Sequence, residues 1–75
     1  MKNVIITGGT KGIGDAIVKS LLKNQKYRIH VLARNIKKDK KNLIYYKIDL
    51  SNKQEIEQFV EKLKKKNISL YALVN

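Results

Sequence analysis

The chain has 75 residues, no cysteine and a single histidine, so it supports one small domain and excludes both a disulfide framework and a thiolate metal site. No apolar run approaches the length of a bilayer span and the N-terminus carries no secretory pattern, which leads to the expectation of a cytoplasmic protein with no membrane association. The formal net charge of +11 raises the question of a nucleic-acid partner.

In chain order, Lys2 to Thr7 is a short apolar run with β-branched residues, ended by glycines, which predicts a buried parallel strand. A helix is predicted from about Gly12 to Asn24: Ile13, Ile17 and Leu21 recur every four residues, and Val18 and Leu22 widen the stripe. Lys19, Lys23 and Lys26 lie toward its far end, where cations suit the helix dipole. Ile29 to Ala33 predicts a second strand. Arg34 to Asn42 then spans only nine residues, with Ile36 its one apolar side chain and Lys37, Lys38, Lys40 and Lys41 around Asp39. A parallel crossover usually takes a dozen residues or more, so this segment is expected to be a tight basic loop or a single helical turn. Leu43 to Ile48 predicts a third strand in which Tyr45 and Tyr46 point to opposite faces.

Ser51-Asn52-Lys53-Gln54 fits a capping box that starts a second helix. Ile56, Phe59, Val60 and Leu63 form its apolar face, with Glu55, Glu57 and Glu61 early and Lys62, Lys64, Lys65 and Lys66 late, as the macrodipole favours. Leu70 to Val74 predicts a fourth strand. Strand, helix, strand, strand, helix, strand argues for a parallel sheet with helical crossovers. There are no repeats and no prolines, and residues 1–75 read as one unit.

The charge has a bland origin. Lysine (15), isoleucine (10) and asparagine (7) make up 32 of the 75 residues, and all three have A/T-rich codons. Only two of the 17 basic residues are arginine, the residue suited to base and phosphate forks, and few aromatics interleave the lysines. The expectation is no nucleic-acid partner; a small basic nucleic-acid binder using Lys37 to Lys41 and Lys62 to Lys66 is the lesser alternative.

Thr7-Gly8-Gly9-Thr10-Lys11-Gly12-Ile13-Gly14 lies between the first strand and the first helix. A turn there aims backbone N–H groups and the positive helix end at one point, an anion site, and glycines let a phosphate approach the backbone. Gly14, one step into the helix, allows close helix–strand packing. The spacing is not G-x-G-x-x-G, because Ile17 stands where the third glycine belongs, and no Walker A sequence occurs. Thr7, Gly8, Gly12 and Gly14 instead match T-G-x-x-x-G-x-G. Arg34 falls just after the second strand, twenty residues past Gly14, where an acid would meet the ribose 2′-hydroxyl of NAD. An arginine there offers a fork to a 2′-phosphate, and Lys11 can reach the same group, which favours NADP(H) while leaving NAD(H) possible.

In these motifs the chain resembles the N-terminal, cofactor-binding part of the short-chain dehydrogenase/reductase family, over about the first third of a typical member. The resemblance implies part of a doubly wound Rossmann α/β fold, with strand order 3-2-1-4 and helices on the sheet faces. It implies a cofactor-binding set of Gly8, Thr10, Lys11, Gly12, Ile13, Gly14, Arg34, Asn35, Asp49, Leu50 and Asn75. Asp49 would accept from the adenine amino group, assisted by the backbone of Leu50. Asn75, the first asparagine of the family's Asn-Asn-Ala-Gly segment, would lie near the ribose. The family reaction is hydride transfer between a nicotinamide and a carbonyl or alcohol, usually in a homo-oligomer. Its catalytic serine and Tyr-x-x-x-Lys have no counterpart here: four residues beyond Tyr45, Tyr46 and Tyr71 stand Asp49, Leu50 and Asn75. His30 reads as a surface or packing residue. The expectation is therefore an NADP(H)-binding piece of a longer oxidoreductase, with a non-catalytic nucleotide-binding module as the alternative. As a fragment it would expose its fourth strand as an apolar edge and tend to self-associate.

Overall fold

A computed structural model describes all 75 residues. The elements are β1 (Lys2–Thr7), α1 (Gly12–Leu22), β2 (Tyr27–Ala33), β3 (Leu43–Lys47), α2 (Lys53–Lys65) and β4 (Leu70–Val74). The four strands form one parallel sheet in the order β3-β2-β1-β4. The parallel sheet is what the alternation of patterns predicts and the strand order is the one the family resemblance implies, with β1 in the interior paired on both sides.

The period-2 alternation of strand side chains sorts the core onto two faces. Val4 and Ile6 of β1, Ile29 and Val31 of β2, and Leu43 and Tyr45 of β3 point one way and are covered by Val18 of α1, with Ile17 and Leu21 beside it. Ile5, Leu32 and Ile48 point the other way and are covered by Phe59 of α2, flanked by Ile56 and Leu63. Tyr45 and Tyr46 accordingly join opposite faces, and Tyr46 meets Phe59 edge-on at 4.8 Å between centroids.

Element ends depart from the sequence expectations in four places, one of them β3, which closes at Lys47 and not at Ile48. β2 begins at Tyr27, two residues before the apolar run, because Lys2 and Asn3 pair with Tyr27 and Arg28. α1 closes at Leu22. The N-cap of α2 is Asn52, whose side chain accepts from the backbone N–H groups of Gln54 and Glu55, so the expected capping box at Ser51 does not form. Its serine is taken by Asp49, whose Oδ1 accepts from both the Ser51 N–H at 2.9 Å and its hydroxyl at 2.7 Å.

The short crossover contains no helix. The backbones of Lys40 and Leu43 exchange two hydrogen bonds around Asn42, which sits at φ +63°, and Asp39 accepts from the Tyr45 N–H at 2.8 Å. A left-handed asparagine and an aspartate bonded to nearby backbone are the chemistry of a tight turn. At the opposite border β1 and β4 slip register between Asn3–Leu70 and Val4–Ala72, which makes Tyr71 the extra residue of a bulge. Its ring lies 6.2 Å from that of Tyr27 and under the Lys2 ammonium. Leu70, Tyr71 and Leu73 are exposed along this edge, Leu73 by 58 %.

Candidate functional site

The C-terminal ends of β1, β2 and β3 open into a cleft of about 550 Å³ lined by Gly8, Thr10, Lys11, Leu32, Ala33, Arg34, Asn35, Ile48, Asp49, Leu50 and Ser51. In an open α/β sheet this edge is where ligands bind. The cleft gathers Gly8, Thr10, Lys11, Arg34, Asn35, Asp49 and Leu50 from three separate connections. Leu32, Ala33 and Ile48 are buried residues at the strand ends that also line it, and the sequence motifs gave no sign of them. Their signal was available only as position, at the last residues of apolar runs. Gly12, Ile13, Gly14 and Asn75 lie outside this lining.

The glycine turn shows why its residues are small. Gly8 and Gly12 hold φ of +70° and +56°, a region costly for a side chain, and a Cβ at either would project into open space above the turn. Gly14 is different: a Cβ there would run into the carbonyl of Gly8, so the first turn of α1 rests directly on the chain leaving β1. Gly9, a variable position in the sequence pattern, is also tightly surrounded: a Cβ would stand 3.0 Å from Val31 and 3.2 Å from Ile6 and Val18, and those side chains would have to shift.

The two helices begin differently. Asn52 caps α2, whereas the N-cap of α1 is Lys11, which makes no side-chain capping bond. The leading N–H groups of α1 are therefore left for another acceptor at the positive end of the helix, beside an Ile13 that is 81 % exposed. Asn75 lies next to this turn because the Thr7 hydroxyl donates to its Oδ1 at 2.7 Å.

On the far wall the Asp49 carboxylate is held by Ser51, and its backbone N–H donates to the Glu55 carboxylate, 3.4 Å away. The Ser51 hydrogen bonds, and then the charge of Arg34, keep its carboxyl below the usual carboxylate range. Asp49 is the only acidic residue lining the cleft; Lys11 and Arg34 are its cations. A larger groove of about 750 Å³ runs along α2, lined by Gln54, Glu57, Gln58, Glu61, Lys62 and Lys65. It has no hydrophobic lining residue and no converging backbone donors, and is the solvated face of an amphipathic helix. No helix is long and apolar enough to cross a membrane, and no cluster of three potential metal ligands occurs.

A parallel sheet with a glycine turn feeding an uncapped helix at its ligand-binding edge defines a nucleotide-binding α/β fold of Rossmann type. The chain belongs to the short-chain dehydrogenase family, whose model matches residues 2–75. It is similar to a short-chain dehydrogenase family protein from Francisella tularensis, with 33 % identity and a TM-score of 0.87, covering 100 % of this chain and 31 % of that one. It is similar to a short-chain dehydrogenase from Leptospira borgpetersenii with bound NAD+, at 27 % identity and TM-score 0.88, over 99 % of this chain and 30 % of that one. A third structure, ElxO with NADP bound, shares 33 % identity at TM-score 0.82, over 99 % of this chain and 34 % of its own. The chain thus spans about a third of the length of these proteins. No curated protein matches it.

Proposed function

We propose that the chain is the NADP(H)-binding part of a short-chain oxidoreductase, a single folding unit over residues 1–75. The observation that carries the reading is the uncapped start of α1, which faces the cleft edge where Lys11 and Arg34 both stand. The residues fit a dinucleotide. Open space lies over Gly8 and Gly12, where a phosphate would approach the backbone, and the N–H groups of Gly12, Ile13 and Gly14 meet it at the positive helix end. Leu32, Ala33, Ile48 and Leu50 offer apolar walls to an adenine, and Asp49 offers its amino group a carboxylate acceptor. Thr10 and Asn35 line the same cleft, and Asn75, bonded to Thr7 beside the glycine turn, is assigned to the cofactor ribose.

The cofactor, when bound, supplies a hydride to or from a carbonyl or alcohol carbon. This chain's own residues bind and orient it; catalytic residues are expected in sequence beyond those present here. Preference for the 2′-phosphate is assigned to Arg34, with Lys11 as its second cation, since no acid stands at the end of β2 to repel that group. The similar structures above include one NAD+ complex and one NADP complex, and Arg34 is the residue assigned to favour NADP(H) here.

The test is Arg34→Asp with NADPH and NADH as separate titrants. A lost charge-assisted fork is worth about 1.5–3 kcal/mol, so NADPH affinity is expected to fall at least tenfold while NADH affinity changes little. Equal losses for both would refute the assignment.

A further inference from the structure

We infer that Asp15 is a positioning residue that fastens the segment after β2 to α1 and thereby sharpens the preference of the cleft for a 2′-phosphate. The inference rests on the dinucleotide reading above. Residues 35 to 38 belong to no helix or strand and make no backbone hydrogen bond. One side chain ties them down: the Lys37 ammonium meets Asp15 Oδ1 at 3.2 Å. The other oxygen of Asp15 meets Lys19 Nζ at 3.0 Å, so the carboxylate is held from within its own helix while it grips the loop. Its side chain is 19 % exposed, and the two lysines hold its carboxyl below the usual carboxylate range.

The placement matters because the clamp joins α1, which follows the glycine turn, to the connection that carries Arg34, without either of its ends lining the cleft. Asp15 follows Gly14 in the first turn of α1, the turn that begins after Lys11. Lys37 lies three residues past Arg34, whose guanidinium has no ion-pair partner in the protein and is free to meet a ligand. A segment that must be ordered on binding lowers affinity by the entropy it loses, and a segment already held does not. Asp15 therefore acts on Arg34 through the loop and touches no part of the dinucleotide itself. Removing its charge has the opposite electrostatic effect, since it leaves the cleft more positive. Loop order and local potential thus predict opposite changes in the preference for the extra phosphate, which makes the inference decidable.

The experiment titrates the wild-type chain and the variants Asp15→Asn, Asp15→Glu and Lys37→Met with NADPH and NADH, and reads backbone order at residues 35 to 38 by NMR relaxation. Asp15→Asn is expected to lower the NADPH-to-NADH preference about threefold, the size of one partly exposed ion pair, and to loosen residues 35 to 38 while α1 stays ordered. Asp15→Glu is expected to restore most of both. Lys37→Met attacks the clamp from its other end, and the double variant Asp15→Asn/Lys37→Met is expected to be no worse than the worse single one. A preference unchanged or raised in Asp15→Asn, or additive losses in the double variant, overturns the inference while leaving Arg34 in its role. Equal wild-type affinity for NADPH and NADH overturns both.

Discussion

The Tyr46 hydroxyl meets His30 Nδ1 at 2.9 Å, on the α2 side of the sheet where His30 is only 1 % exposed. The direction of this bond follows from the other partner. Asn3 gives its amide N–H to the Ser69 carbonyl and turns its oxygen toward His30 Nε2, 3.0 Å away. Nε2 therefore carries the ring proton and Nδ1 accepts from Tyr46, in a chain that links β1, β2, β3 and Ser69, the residue just before β4. The neutral ring is satisfied at both nitrogens; a protonated one would bring a buried charge and turn Nδ1 into a donor, so that the Tyr46 hydroxyl would have to rotate and accept.

Acid is therefore expected to destabilise the fold before any carboxylate titrates. Burial, then the charges of Arg28 and Lys66, push the pKa of His30 below its ordinary 6.5. The unfolded chain takes up this proton near 6.5 and the folded chain only at lower pH, so unfolding binds a proton in that window. Stability is full above about pH 6.5 and falls as pH drops below it. Urea midpoints measured between about pH 7.5 and 5 check this, and His30→Asn should flatten the slope in that range.

Tyr46→Phe should cost about 1–2 kcal/mol in urea denaturation, since it leaves a buried acceptor on His30 unpaired. The aromatic contact with Phe59 is retained in this variant, so the loss reports the hydrogen bond alone. A change within error would show that water replaces the hydroxyl.

The glycine turn separates stability from binding. Gly9→Ala pushes a methyl against Val31, Ile6 and Val18, all side chains that can shift, and is expected to cost about 1–3 kcal/mol of stability with NADPH affinity largely kept. Gly14→Ala meets the backbone of Gly8, which cannot yield without moving the turn. That variant is expected to lose dinucleotide affinity beyond what its thermal midpoint explains, as calorimetric titration of both would read.

Capping of α2 gives a fourth expectation. Asn52→Ala removes the acceptor for two N–H groups and should cost about 1 kcal/mol, whereas Ser51→Ala leaves the cap intact and should cost less. Ser51→Ala acts on Asp49 instead, whose carboxyl should titrate closer to its ordinary range by NMR.

Much of this was readable in the sequence where the governing interactions are local. The apolar run of β1 and the helix positions Ile17, Val18 and Leu21 and Ile56, Phe59 and Leu63 report burial directly, whereas Ile13, Val60, Leu70, Tyr71 and Leu73 share the same apolar patterns and stand exposed. The glycine turn and the place of Arg34 just after β2 were legible because both depend on spacing from a strand end. What escaped depends on partners brought together by folding. Ser51-Asn52-Lys53-Gln54 and Asn52-Lys53-Gln54-Glu55 fit the same capping pattern, and Asp49 decides between them by taking Ser51 for itself. His30 gave no hint of its bonds because Tyr46 lies 16 residues away and Asn3 lies 27. Gly9 looked variable because the side chains crowding it come from β1, α1 and β2 at once.

The interior position of β1 also bears on how the chain acquires its structure. Of the four strands β1 comes earliest in sequence and must wait for partners on both flanks: β2 closes on it after one helix, but the contact of Thr7 with Val74 joins residues 67 apart. Closing that longer loop has the larger entropic cost and offers its reward last. Assembly should therefore begin with β1, α1, β2 and β3, a unit already holding the glycine turn and Arg34. The β4 border would dock afterwards, as the late and most reversible step of folding.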